Sequence, residues 1–157
     1  MDNKFYLNHS FDKSNNTAGW IFADYKNKFD GKDKNIVLYG HNRKDNSMFG
    51  SLKNILNERW YNNPENTDII FITQNKKHIY KVFSVYQIEK EDYYIKTEFN
   101  SSNEFEKFIK TLKQRSIKNF NVDVSKNDRI ITLSTCAGNS NCRVVLHAKK
   151  CRRYKQR

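Results

Sequence analysis

The chain has one proline, Pro64, and five glycines in 157 residues, and no Gly/Ser-rich stretch that reads as a linker. Nothing marks a second domain, so the expectation is a single domain over residues 1–157 with its own core. No run of 18 apolar residues occurs, so no segment is expected to span a membrane as a helix. No signal peptide is visible either. Met1 is followed at once by polar Asp2-Asn3-Lys4, which reads as a truncation made for expression, so this absence says little about location. No internal repeat is present. Cysteines number three, and no C-x-x-C pair occurs among them. Cys136, Cys142, His147 and Cys151 put four soft ligands within 16 residues. However, Cys142 and His147 lie five apart on a predicted strand and so on opposite faces, which argues against zinc.

What is present is apolar and basic. Hydrophobic residues make up 37% and aromatics 14%, which suits a folded chain. Formal charge is +12, and the last nine residues, Lys149 to Arg157, hold six Lys/Arg and no acid. Half of the excess thus sits in a tail, of which residues 151–157 are expected to be flexible. Such a tail is a solvated terminus or an attractor of polyanions: nucleic acid, anionic membrane or anionic wall.

Several short runs read as strands: Asn35–Tyr39, Asp68–Thr73, His78–Tyr86, Arg129–Ser134 and Arg143–His147. The second and third are expected to form a hairpin through the polar turn Gln74-Asn75-Lys76-Lys77. Met48, Leu52, Ile55 and Leu56 have helical spacing, with Asn46 or Ser47 as cap. Phe105, Phe108, Ile109 and Leu112 form one apolar stripe, and Ser101 with Glu104 has capping-box spacing at its start. Many short strands and few helices predict a closed or nearly closed β-barrel with helices outside it.

Cys136 ends an apolar strand before the loop Ala137-Gly138-Asn139-Ser140-Asn141. A thiol there is either a buried, inert residue or a rim nucleophile, and the second role needs a base and an oxyanion donor. His41 follows Gly40 directly after a strand and is a surface residue or that base. His9 and His78 have no special neighbours, and His147 is within a strand. Arg143 opens the strand after the Cys136 loop. An antiparallel pairing brings it near Cys136, as a solvated strand-start Arg or an oxyanion donor.

Thr132-Leu133-Ser134-Thr135-Cys136, followed by an Arg opening a hydrophobic strand, resembles the sortase signature. Tyr39-Gly40-His41 resembles the segment carrying that family's catalytic His. Asp2–His9, Phe22–Tyr25, Asn46–Phe49, Asp92–Thr97 and Val145–Lys149 look like class B sortase segments in class B order. The helix from Ser102 to about Arg115 resembles the extra helix of that class. The resemblance implies a mainly β, eight-stranded sortase-type barrel with peripheral helices, no cofactor and no metal. It implies a two-step transpeptidation with Cys136 as nucleophile, His41 as acid and base, and Arg143 at the oxyanion. The substrates implied are surface proteins bearing a C-terminal sorting motif cleaved after Thr, and a cell-wall peptide amine. Nucleic acid is not among the implied partners. The implied location is the outer face of the membrane, through an N-terminal anchor missing from this chain. By matched position, Asn3, Leu7, Tyr39, Tyr94, Ile95, Ser134 and Thr135 are expected to bind substrate. The Cys136–Arg143 loop is short for class B, and Ala137 stands where an acidic residue is often found. Two other readings stay open: a hydrolase passing the acyl group to water, and a basic binding module with incidental cysteines.

Overall fold

The computed structural model describes residues 2–74, 76–89, 91–136 and 141–151, without the side chain of Cys136. The expectations for the Ala137–Ser140 stretch and for the tail beyond Cys151 lie outside these residues.

Six strands form one curled sheet: β1 (Phe22–Ala23), β2 (Asn35–His41), β3 (Asp68–Thr73), β4 (Lys76–Glu89), β5 (Ile130–Cys136) and β6 (Cys142–Lys150), in the order β1-β2-β5-β6-β4-β3. β2 and β5 run parallel, and the other pairs are antiparallel. The expectation of eight strands is not met among the described residues. The Val122–Val124 segment has strand-like side chains, but these pack on the core without a ladder, and Asn121 before it has φ of 54°. The N-terminal segment makes only an isolated bridge, His9 to Asn15. The hairpin turn is also tighter than expected. Thr73 pairs with Lys76 and Ile72 with Lys77, so both lysines are strand residues.

Side-chain alternation gives the sheet two apolar faces. One carries Phe83, Tyr86, Ile88, Ile130 and Val145, and helix α2 (Ser102–Arg115) lays Phe105, Phe108, Ile109 and Leu112 on it. Each such burial contributes about 1.5–3 kcal/mol. Ser101 caps α2 by accepting from the Glu104 N–H at 3.1 Å. Glu104 reaches back to the Asn100 N–H and also holds Lys96, just after the 3-10 turn Tyr93–Ile95. The cap therefore ties α2 to the turn that bears Tyr94 and Ile95.

The other face holds Val82, Val85, Ile131 and Leu146 under Leu52 and Ile55. Those two belong to a 3-10 helix, Gly50–Leu56, followed by the short helix α1 (Glu58–Tyr61). Neither Asn46 nor Ser47 caps it, contrary to the spacing argument. Asn46 and Met48 have positive φ, which breaks any helix there, and Ser47 instead donates to Asp45 at 2.6 Å.

A buried polar chain crosses the α2 face. Tyr93 donates to Tyr86 at 3.2 Å, and the Tyr86 hydroxyl meets His147 Nε2 at 2.8 Å. His147 Nδ1 meets Thr132 Oγ1 at 2.8 Å, and Thr132 donates to Asn35 at 2.8 Å. Because Thr132 spends its proton on Asn35 and Tyr86 receives one from Tyr93, the neutral Nδ1–H tautomer satisfies every member. His147 is fully buried, and burial holds its pKa at about 3. The unfolded chain, with an ordinary value near 6.5, binds the proton that the fold refuses. The stability is therefore whole above about pH 6.5 and drains away as pH falls toward 3, by a total on the order of 4–5 kcal/mol. Urea midpoints of the wild type should fall between pH 6.5 and 4.5 more steeply than those of His147→Gln. The lowered His78 contributes with the same sign in both proteins and cancels in the comparison. Equal slopes would show that His147 is readily protonated in the fold.

Candidate active site

Strands β2 and β5 end together. Their parallel register pairs Tyr39 with Ser134, Gly40 with Thr135 and His41 with Cys136. The β5–β6 ladder runs to Ser134 opposite Val145. Beyond it, Arg143 Nη1 reaches the carbonyl oxygen of Thr135, the residue before Cys136, which sets Arg143 beside the end of β5. The strand ends thus gather His41, Cys136 and Arg143 at one edge of the α2 face.

A cleft of about 240 Å³ opens there, lined by Asn3, Leu7, Tyr39, His41, Tyr94, Ile95 and Arg143, together with Phe22 and Asp92. Ser134 and Thr135, expected in the groove, do not line it. Ser134 is fully buried, its hydroxyl 2.9 Å from that of Tyr94, which covers it. Thr135 is buried and its Oγ1 accepts from the Val144 N–H at 3.0 Å. Both stand behind the cleft wall.

His41 is held by Leu7. Its Nε2 lies 2.6 Å from the Leu7 carbonyl oxygen, which can only accept, so Nε2 carries the proton of this contact. The close approach depends on Gly19, at φ of 62°. A Cβ there would come within 2.6 Å of the Tyr6 carbonyl oxygen, 2.7 Å of that of Leu7 and 2.9 Å of His41 Cδ2. Gly19→Ala should therefore displace the Leu7 carbonyl, cost about 1–2 kcal/mol of stability and lower turnover roughly 10- to 100-fold. Turnover within twofold of wild type in the folded variant would show that the Leu7 contact does not set the imidazole.

Arg143 Nη1 reaches the Thr135 carbonyl oxygen at 3.4 Å, a long contact. On the far wall, buried Asp24 accepts from Tyr39 at 2.7 Å and from Asn3 Nδ2 at 2.9 Å with one oxygen. Its other oxygen accepts from the Lys26 N–H at 2.9 Å. One carboxylate thus orients two of the expected groove residues. Sequence reasoning placed Phe22, Asp24 and Asp92 within matching segments but gave none of them a role. A lone buried Asp has no spacing signature. The aromatic Phe22 beside it is the one hint, since it pairs with Tyr39 across the β1–β2 ladder.

The remaining soft ligands are not assembled for a metal. Both ring nitrogens of His147 are engaged, and Cys142 and Cys151 lie at opposite ends of β6, roughly 25–30 Å apart at strand rise. Among the described residues no cluster of metal-ligating side chains occurs.

A sortase-domain family model matches residues 2–151. The chain is 39% identical over 135 residues to sortase B of Listeria monocytogenes, covering 86% of this chain and 54% of that protein. It spans about half the length of the curated relatives it matches. Among solved structures, Clostridium perfringens sortase B is similar with a TM-score of 0.88 and 37% identity, over 96% of this chain and 82% of that one. A Staphylococcus aureus sortase B–substrate complex is similar with a TM-score of 0.88 and 34% identity, over 96% of this chain and 70% of that one.

Proposed function

The chain belongs to the sortase family, and on that footing we propose that it is the catalytic domain of a class B cysteine transpeptidase. The observation that carries the reading is the register pair His41–Cys136, with Arg143 on the same cleft. A base beside the residue that ends the T-L-S-T-C strand supplies what a thiol nucleophile needs.

In the proposed first step the Cys136 thiolate attacks the Thr carbonyl carbon of a C-terminal sorting motif. The C–N bond breaks, the imidazolium of His41 gives its proton to the departing amine, and a thioester remains. In the second step an amine of a cell-wall peptide attacks the thioester, His41 takes the amine's proton, and the thiolate leaves. Arg143 donates to the oxyanion in both steps. Asn3, Leu7, Tyr39, Tyr94 and Ile95 are proposed to seat the motif, with Asp24 orienting Asn3 and Tyr39. Ser134 and Thr135 are proposed to support that wall from behind.

Among the described residues no helix is long and apolar enough to cross a membrane. The proposed place of action is the outer face of the cell membrane. The proposed partners are surface proteins with a C-terminal sorting motif and a peptidoglycan-derived amine.

Mass spectrometry after incubation with a panel of sorting-motif peptides tests this reading. A thioester on Cys136 that persists without amine and converts to a peptide–amine product with it is expected. Hydrolysis at the same rate with and without amine would make the domain a peptidase.

A further inference from the structure

A second cleft, of about 530 Å³, opens at the opposite end of the sheet. Arg129 at its edge precedes the first residue of β5, whereas Cys136 is the last, so the two sites are roughly 20 Å apart along the strand. Alternation places Lys76, His78 and Tyr80 on one face of β4. Tyr80 pairs with Lys150 of β6, and the Lys150 N–H donates to the Arg129 carbonyl at 2.8 Å. Strands β4 and β6 and the residue before β5 therefore deliver Lys76, His78, Lys150 and Arg129 to one concave surface.

Among the described residues none of these four side chains makes an ion pair. They act on one another instead. Lys150 is held below its usual pKa by burial and then by Arg129 and Lys76. His78 is likewise lowered by burial and then by Lys150 and Lys76. Two carboxylates share the cleft, but both are engaged by their own loop. Asp33 accepts from the Lys28 and Phe29 N–H groups at 2.7–3.2 Å, and Asp30 from the Lys32 N–H at 2.8 Å. A bound anion would relieve repulsion that the protein leaves standing.

We propose that this cleft binds phosphate groups of a phosphodiester-linked wall polymer, a flexible chain with one negative charge per repeat and no bases. The polymer rather than a nucleic acid is favoured because, of the rings on the cleft, Tyr80 is buried and Phe71 and His78 are half-buried, which leaves Phe29 as a single exposed ring and not a row for stacking successive bases. The choice of a wall polymer rests on the wall-enzyme reading above. Docking at this end leaves the cleft with His41 open at the other.

Titration of 15N-labelled protein with inorganic pyrophosphate should shift amides around Lys76, His78, Arg129 and Lys150, and leave those of His41 and Ile95 in place. Binding of poly(glycerol phosphate) should weaken at least tenfold in Arg129→Gln/Lys150→Gln. Its salt dependence should fall by about one to two released counterions. Peptide cleavage by that variant should stay within twofold of wild type. The charge-matched Lys110→Gln/Lys113→Gln pair on α2 should change polymer binding less than threefold. Equal weakening by the two pairs, or pyrophosphate that moves no cleft amide, would overturn the site. Tighter binding of single-stranded nucleic acid at this cleft would overturn the polymer assignment. Polymer bound here by a protein that forms no thioester on Cys136 would support the site and count against the catalytic reading instead.

Discussion

Cys136→Ala should reduce peptide cleavage and transfer to background, a loss on the order of 10⁴-fold or more, while Cys142→Ala and Cys151→Ala keep most of the activity. The chain has three cysteines, and their strand partners differ. Of the three, Cys136 is the one with a histidine as its register partner. Cys142 faces Glu89 at the start of β6, and Cys151 lies beyond the other end of that strand. Neither is paired with an imidazole across a ladder. Alanine at the last residue of β5 keeps the ladder, which is made by backbone groups, so circular dichroism and thermal unfolding should change little. The measurement is adduct mass together with amine-dependent product. Activity in the folded Cys136→Ala protein within tenfold of wild type would sink the thioester mechanism, and loss in Cys142→Ala alone would move the nucleophile.

The strands were legible because they are short β-branched and aromatic runs between polar breaks. Asp68–Thr73 holds to the residue for this reason. Helix α2 was legible because stripe and cap agree, with Ser101 bonding the Glu104 N–H as its spacing implied. The Met48–Leu56 segment misled because 3-10 and α periods are close over one turn. What decides there is backbone: positive φ at Asn46 and Met48 delays the helix to Gly50, which packs so tightly on Arg43 that a Cβ would sit 2.2 Å from its carbonyl oxygen. At the candidate site, His41, Cys136 and Arg143 were legible through local motifs at strand ends. The parts that fix them were not. Gly19 and Asp24 act through contacts between segments far apart in the chain, and no spacing rule announces such contacts. Ser134 and Thr135 were expected in the groove from matched position, but which face a strand residue presents depends on what covers it, and Tyr94 covers Ser134.

Arg143→Lys should keep the positive charge and the fold yet lose roughly 10²-fold in turnover, with Arg143→Ala worse. The guanidinium lines the cleft beside His41, Tyr39 and Tyr94. Its hydrogen bond to the Thr135 carbonyl is long, 3.4 Å, and uses one of five donors, so others remain for an oxygen in the cleft. An oxyanion forms only as the thiolate attacks, and a donor waiting there strengthens its bond as charge develops, which favours the transition state over the bound peptide. Arg presents its donors in a rigid planar fork. Lys places a compact ammonium on a flexible stem that must be ordered anew at each turnover. The loss should therefore appear in kcat with KM little changed, because the neutral carbonyl of the bound motif gains less from the donor than the oxyanion does. Folding should be retained, since the backbone of Arg143 keeps its place opposite Ile88 in the β4–β6 ladder whichever side chain it carries. A solvated strand-start Arg would instead give near-normal rates in both variants. Steady-state kinetics on folded Arg143→Lys protein decides between them: a loss below about threefold in kcat would remove Arg143 from the oxyanion.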